Sequence, residues 1–342
     1  MGGPISSKYY LISKKDLQRL LDSLSKKMPL FAPVKHGKDF NFKRLESGDK
    51  LDIAGYTNTE YPPRGMFLPE GEAVLEYNKG KFSENFFKGK AAVFGIRPCD
   101  VHALLVLDRV MLGHDHFESH YKRRRENTLV FPLVCGTPGE NCFCDSMLTR
   151  NLVESFDLLF TDIGHHYHVE PGSKAGLEII AANKGLFQES VHKAAIVEVP
   201  CKKKLDTANL PGILAKARAS GVWDEVAKQC VSCASCTFSC PTCYCFSLVH
   251  DSGIADPEHV KVIRELDYCM LLRYSRVAGG LVFREPRKER VQQFFYHKLA
   301  YGPENEGRFH CVGCGRCITE CMAHIDITDV IGRIRDEHDK RK

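Results

Sequence analysis

Several things are missing from this sequence, and each absence excludes something. No stretch approaches the roughly 20 continuous apolar residues of a membrane-spanning helix. The opening residues, MGGPISSKYYLISKKD, hold no apolar core of the kind a secretory signal carries, so a cytoplasmic location is expected. Neither charge dominates: 48 basic against 43 acidic side chains leave a formal +5, too mild to argue for nucleic acid. No G-x-G-x-x-G follows an apolar run and no G-x4-G-K-[ST] occurs, so no phosphate-cradling loop is evident. H-E-x-x-H, G-x-S-x-G and paired-cysteine nickel motifs are missing too. What is left is an ordinary soluble composition, 43% hydrophobic and 27% charged, which excludes a disordered or collagen-like chain. Its 342 residues suggest about two domains.

Cysteine is what the chain has in excess. Sixteen thiols in a reducing compartment read as metal ligands rather than disulfides. They are unevenly placed: five lie up to Cys201 and eleven from Cys230 onward. That shift suggests an N-terminal α/β domain over 1–205 and a mostly helical ferredoxin-like domain over 206–342, an α+β chain overall.

Local patterns support this division. Ser13, Asp16 and the series Leu17, Leu20, Leu21 and Leu24 predict a capped amphipathic helix. Pro29 to Pro69 reads as short strands and turns. Ala91–Ile96, Thr128–Val134 and Asp157–Ile163 are apolar runs of strand length, and Val101 to Val110 predicts a helix with Asp100 as its N-cap. Beyond residue 205 the patterns predict two short helices within Leu210–Lys228 broken at Gly221. Further helices are expected over Glu258–Ala278, Glu285–Tyr301 and Ile327–Asp339.

The C-terminal part repeats one spacing. Cys230-x2-Cys233-x2-Cys236-x3-Cys240-Pro241 is followed by Cys311-x2-Cys314-x2-Cys317-x3-Cys321. Three cysteines two residues apart wrap a loop around one cubane, and the fourth crosses to the other cluster. The expected ligand sets are Cys230, Cys233, Cys236 and Cys321 for one [4Fe-4S] cluster, and Cys311, Cys314, Cys317 and Cys240 for the other. A zinc site shows C-x2-C pairs without the third and fourth cysteines, so two full copies argue against it. Gly313 and Gly315 leave room for backbone N–H groups near the sulfurs. Two features depart from a compact ferredoxin: Met322 replaces the usual proline, and 70 residues separate Cys240 from Cys311.

A second group is more open to interpretation. Cys99 and Cys135 each follow a predicted strand, and Cys142 and Cys144 flank Phe143 in a turn region. These four suit a third [4Fe-4S] cluster, buried free thiols or a zinc site; Cys201 lies further along. Cys243 and Cys245 look like lining of a cluster pocket, and Cys269 like core. His165-His166-Tyr167-His168 reads as an exposed polar strand rather than a metal site. Lys122-Arg123-Arg124-Arg125 and Lys202-Lys203-Lys204 read as solvated surface, with the arginines a candidate for offsetting cluster charge.

The chain resembles the iron–sulfur subunits of anaerobic sulfite reductase (the A subunit) and of sulfhydrogenase (the β subunit). The matching residues are Gly95-Ile96-Arg97-Pro98-Cys99-Asp100, Arg124-Arg125-Glu126-Asn127-Thr128, and Cys135 with Cys142-Phe143-Cys144-Asp145-Ser146-Met147. They continue through Cys240-Pro241-Thr242-Cys243-Tyr244-Cys245, Cys269, Val277-Ala278-Gly279-Gly280 and His297-Lys298, to Cys311-Val312-Gly313-Cys314-Gly315-Arg316-Cys317. The resemblance spans roughly residues 90 to 330. It implies a subunit of an anaerobic complex that relays electrons between a flavin/NAD(P)H-oxidising partner and a catalytic subunit. That subunit would be of sulfite reductase, hydrogenase or heterodisulfide reductase type. The resemblance also favours the third cluster at Cys99, Cys135, Cys142 and Cys144, which fall inside the matching motifs. The competing readings are a flavin-containing reductase with its own substrate site and, more remotely, a redox-sensing or zinc-binding module. Each oxidised cubane on four thiolates carries about −2, so three would turn the formal +5 into about −1.

Overall fold

The computed structural model describes residues 8–113, 117–194, 199–253 and 256–340. The first seven residues, part of the stretch assessed for signal character, lie outside the described residues. Among the described residues no helix is long and apolar enough to cross a membrane.

The chain begins with β1 (Tyr9–Ser13) and α1 (Lys14–Ser25). The Ser13 hydroxyl accepts the Asp16 N–H at 3.0 Å, the expected cap, and Leu17, Leu20, Leu21 and Leu24 form the buried face. Then come β2 (Leu30–His36), β3 (Asp39–Leu45), β4 (Glu72–Asn78), β5 (Lys81–Glu84) and β6 (Ala91–Ile96). Every residue of β6 is buried, which is why its apolar run is unbroken: both faces are covered. It runs parallel to β2 on one side and to β7 (Thr128–Pro132) on the other.

Between β6 and β7 lie α2 (Pro98–Leu112) and α3 (Ser119–Glu126). Arg97, not Asp100, caps α2. Pro98 takes the first turn, where its missing N–H costs nothing, and the buried Asp100 carboxylate is engaged elsewhere. The Lys122–Arg125 run lies on α3. Arg124 bonds Glu72 at 2.6 Å and Arg125 bonds Asp108 at 3.2 Å, so both pair with acids rather than offset cluster charge.

After β8 (Leu158–Asp162), β9 (His166–Pro171), α4 (Lys174–Ala182) and β10 (Gln188–Ser190) the N-terminal part is complete. Strand orders are β3-β2-β6-β7 and β10-β1-β9-β8. Because β9 is an interior strand, His168 is buried, with Nε2 3.1 Å from the His192 carbonyl oxygen; only the His166 end is exposed, as the sequence suggests.

The C-terminal part carries α5 (Leu210–Lys216), α6 (Val222–Gln229), the one-turn α7 (Ser235–Phe238), β11 (Phe246–Gly253) and β12 (Asp256–Leu266). It ends with α8 (Arg287–Tyr296), α9 (Gly302–Glu306), α10 (Arg316–Thr319) and α11 (Ile327–Asp339). Three helix expectations hold here, over Leu210–Lys228, Glu285–Tyr301 and Ile327–Asp339. The fourth does not: Glu258–Leu266 is strand. Its Val260, Val262 and Ile263 are β-branched and pack well on a pleated sheet. That sheet, β11-β12-β4-β5, joins strands from both halves of the sequence. Trp223, Phe294, Phe295, Leu299 and Ile331 anchor the helical core. The whole is a mixed α+β fold.

Candidate metal centres

The two repeated motifs fold alike. In the first, Ser232 and Ala234 have φ of 57° and 65°; at the equivalent places in the second, Gly313 and Gly315 have 65° and 76°. Each pair of left-handed residues curls the loop ahead of a one-turn helix, α7 or α10. The curl turns backbone N–H groups toward sulfur. Ser232 N–H donates to Cys230 Sγ at 3.4 Å and Ile325 N–H to Cys321 Sγ at 3.3 Å. Burial carries the Cys311 thiol up to about 12, against the opposing N–H of Gly313.

Cys230, Cys233 and Cys236 line one apolar pocket together with Cys321 from the second motif. Cys317 of the second motif lines it as well, and Val226, Met270 and Phe294 are among its walls. Reciprocally, Cys240 of the first motif lies within electrostatic reach of Cys311, Cys314 and Cys317. Burial raises the Cys236 and Cys317 thiols well above the usual range. Cys240 moves down instead, through its hydrogen bond with Cys243 and the charge of Lys298. All sixteen cysteines are free thiols. Among the described residues no three motif sulfurs gather within 4.8 Å of one another. Soft ligands set too widely for a single ion, around an apolar space, fit a cubane.

The N-terminal thiols gather into a second group, and tertiary structure adds Cys201 to it. Cys144 Sγ lies 3.5 Å from Cys201 Sγ, and Cys135 and Cys142 both lie within reach of Cys201. Cys99 shares one buried cluster with Cys142, Cys144 and Cys201 and lies within electrostatic reach of Cys144 and Cys314. Cys201 has no motif around it, so nothing local in the sequence singles it out. Its placement comes from Asp145, whose carboxylate accepts the Cys201 N–H at 2.7 Å and pairs with Arg150 at 3.2 Å. Cys144, Asp145 and Cys201 offer ligand atoms within 4.8 Å of one another, a tighter group than either motif. Burial pushes the Cys142 thiol up to about 12.

The two centres share backbone. Phe143 N–H donates to the Gly313 carbonyl at 2.8 Å, Cys142 Sγ contacts the Cys314 carbonyl at 3.4 Å, and Thr149 Oγ1 donates to the Val312 carbonyl at 2.6 Å. A Cβ on Gly313 would lie 2.6 Å from the Phe143 backbone, and one on Gly315 would lie 2.5 Å from that of Asn141. Those glycines therefore do more than leave space for N–H groups: they admit the 141–144 loop.

Buried cations pin the cysteine loops. Arg316 pairs with Asp100 at 2.6 Å, the two being 2% and 0% exposed at the side chain, and donates to the Thr59 carbonyl at 2.6 Å. Arg64 donates to the carbonyls of Cys240 at 3.2 Å and Cys243 at 2.7 Å. Arg97 stacks on Tyr56 and donates to the Leu133 and Val134 carbonyls at 3.1 and 3.0 Å, just before Cys135. Of these, Arg64 and Arg97 bond carbonyls rather than carboxylates, so their charge is free to face the cysteine loops, whereas Arg316, like Arg124 and Arg125, is paired with an acid. No run or spacing marks them in the sequence.

Two cysteine loops of this spacing, with Cys321 beside the thiols of the first, belong to an iron–sulfur dicluster domain, and the family model for a 4Fe-4S dicluster domain matches residues 229–325. The likeness extends well beyond that domain. The chain is 32% identical over 315 residues to sulfhydrogenase 2 subunit beta of Pyrococcus furiosus, covering 90% of this chain and 92% of that one. It belongs to the sulfhydrogenase β-subunit family.

Proposed function

We propose that this chain relays electrons within an oxidoreductase complex of sulfhydrogenase type, between a flavin/NAD(P)H-binding subunit and a catalytic subunit. The observation that carries this reading is the exchange between motifs, with Cys321 in the pocket of Cys230, Cys233 and Cys236. One [4Fe-4S] cluster is assigned to those four thiolates and a second to Cys311, Cys314, Cys317 and Cys240. Bound there, such clusters supply reversible one-electron chemistry.

The protein's own part is to hold and bias. Thiolates at the ends of short left-handed loops fix position, N–H groups of Ser232, Gly313 and Ile325 bond sulfur, and Arg64 brings positive charge close. Each favours the more negative, reduced state and so raises potential.

A third centre is assigned to the N-terminal thiols. Five cysteines gather there; Cys201 is within reach of Cys135, Cys142 and Cys144 alike, Cys99 lies toward Cys144 and Cys314, and the Asp145 carboxylate is already occupied by Cys201 N–H and Arg150. We therefore assign a third [4Fe-4S] cluster to Cys135, Cys142, Cys144 and Cys201, with Cys201 taking the place the sequence gives to Cys99. The domain boundary is placed near residue 205, where the chain leaves this group.

Iron, zinc and acid-labile sulfide counted on anaerobically purified chain test the proposal. About twelve irons are expected, and fewer than about eight overturn even the two-cluster version. Stoichiometric zinc with only about eight irons would reassign the third centre to a single ion. Co-purification from the native cell should bring a flavin subunit and a catalytic subunit; an isolated chain carrying its own flavin would reject the relay role.

A further inference from the structure

Cys243, Cys245 and Cys269 belong to neither the motif sets nor the N-terminal group. Cys243 and Cys245 stand two apart in the loop leading into β11. Cys269 follows β12 across the same hairpin, whose base closes with Asp267 N–H donating to the Cys245 carbonyl at 2.9 Å. The hairpin thus returns Cys269 to the other two, and its thiol lies within electrostatic reach of Cys245 and Cys243. The Tyr274 phenol is hydrogen-bonded to Cys245 and lies within reach of Cys269 as well.

Beside them is Lys298, the one buried lysine among the described residues, 2% exposed. Its Nζ donates to Thr242 Oγ1 at 3.1 Å and to Cys243 Sγ at 3.3 Å. No carboxylate pairs with it among the described residues; the groups within electrostatic reach that favour its charge are Cys240, Cys243 and Cys269. A buried ammonium without a counter-charge is costly. Protonated thiols supply none, whereas metal-held thiolates do. Cys240, assigned to the second motif's cluster, is one such thiolate; Cys243 is the sulfur in direct contact.

The spacing indicates what kind of metal group fits. Thiolates around one tetrahedral zinc, at about 2.3 Å from it, lie within about 4 Å of one another. The sulfurs of Cys243, Cys245 and Cys269 do not all come within 4.8 Å. In this they share with the motif sulfurs a spacing too wide for one ion, which suits ligands on separate irons. We propose that Cys243, Cys245 and Cys269, beside Lys298, hold a further iron–sulfur cluster through three thiolates, its fourth iron left to a ligand from outside the protein. The proposal rests on the chain being an iron–sulfur protein, and it goes beyond the three centres assigned above.

The test counts iron and sulfide on full-length, anaerobically purified chain, comparing wild type with Cys245→Ser/Cys269→Ser and with Cys230→Ser. The double variant is expected to lose about four irons and four sulfides while the electron-paramagnetic signals of the other clusters persist. An unchanged count in the double variant, with about four irons lost in Cys230→Ser, overturns this site and leaves the relay reading standing. Fewer than about eight irons in wild type would overturn the relay reading instead. Should the double variant not fold, alkylation of native wild-type chain decides. Protection of Cys245 and Cys269 that ends when iron is chelated supports the site; labelling of both at full iron content overturns it.

Discussion

The two cysteine loops share spacing, left-handed backbone and a following one-turn helix, yet they differ at the residues that make the turns. The first uses Ser232 and Ala234, the second Gly313 and Gly315. A backbone near φ of +60° costs a non-glycine residue roughly 1–2 kcal/mol, so the first loop tolerates a strain that the second avoids. The neighbours explain why. The second loop is packed against the backbone of residues 141–144 at distances no Cβ fits. Glycine is required there by the neighbouring centre, and the comparison separates what a cluster loop needs from what a junction between centres needs.

Iron content should show the largest effects. Cys230→Ser should remove about four irons from the first pocket and spare the N-terminal centre, and Cys201→Ser should do the reverse. Cys99→Ser should leave the count unchanged; if it removes four irons while Cys201→Ser removes none, the sequence-based ligand set is restored. Next comes the ion pair that pins the second loop. Arg316→Met leaves Asp100 buried and unpaired and should cost about 3–5 kcal/mol in anaerobic denaturant melts. A loss below 1 kcal/mol would show that the pair does not hold the junction.

Gly313→Ala should cost about 2–3 kcal/mol and deplete the N-terminal centre before the first pocket, because left-handed strain adds to backbone overlap. The matching change in the first loop, Ser232→Gly, should raise stability by about 0.5–1 kcal/mol. Equal penalties at both loops would erase the contrast. The smallest effect belongs to Asp326, which caps α11 through Thr328 N–H at 2.8 Å and pairs with Lys203, two residues beyond Cys201. Burial alone would raise its pKa, but the Lys203 and Thr328 bonds outweigh that and hold it below the ordinary carboxylate value. Its stabilisation is therefore present above about pH 3.9 and is lost as pH falls through the depressed value. Asp326→Asn should flatten the stability profile below about pH 4, and an unaltered acid limb would remove Asp326 from the account.

Elements carried by local pattern were legible. The Ser13 cap, the buried run Ala91–Ile96, the break at Gly221 and the amphipathic Ile327–Asp339 all follow from residues a few positions apart. Asp100 and Glu258–Leu266 were misread because tertiary partners decide them. Arg316 takes the Asp100 carboxylate, and β4 together with β11 gives residues 258–266 a sheet to join. His168 was misread for the same reason, since β1 covers it.

By itself the sequence determined that two loops present thiols at a spacing suited to cubanes, because that spacing is contained within a dozen residues. It also determined the likeness to the sulfhydrogenase β subunit. Only the tertiary structure brought Cys201 to Cys144, set Arg64 and Arg316 against the cluster loops, and carried Cys269 back beside Cys243, Cys245 and Lys298. Ligand type is a local property of the chain. Convergence of residues tens or hundreds of positions apart is decided by packing, and no spacing encodes it.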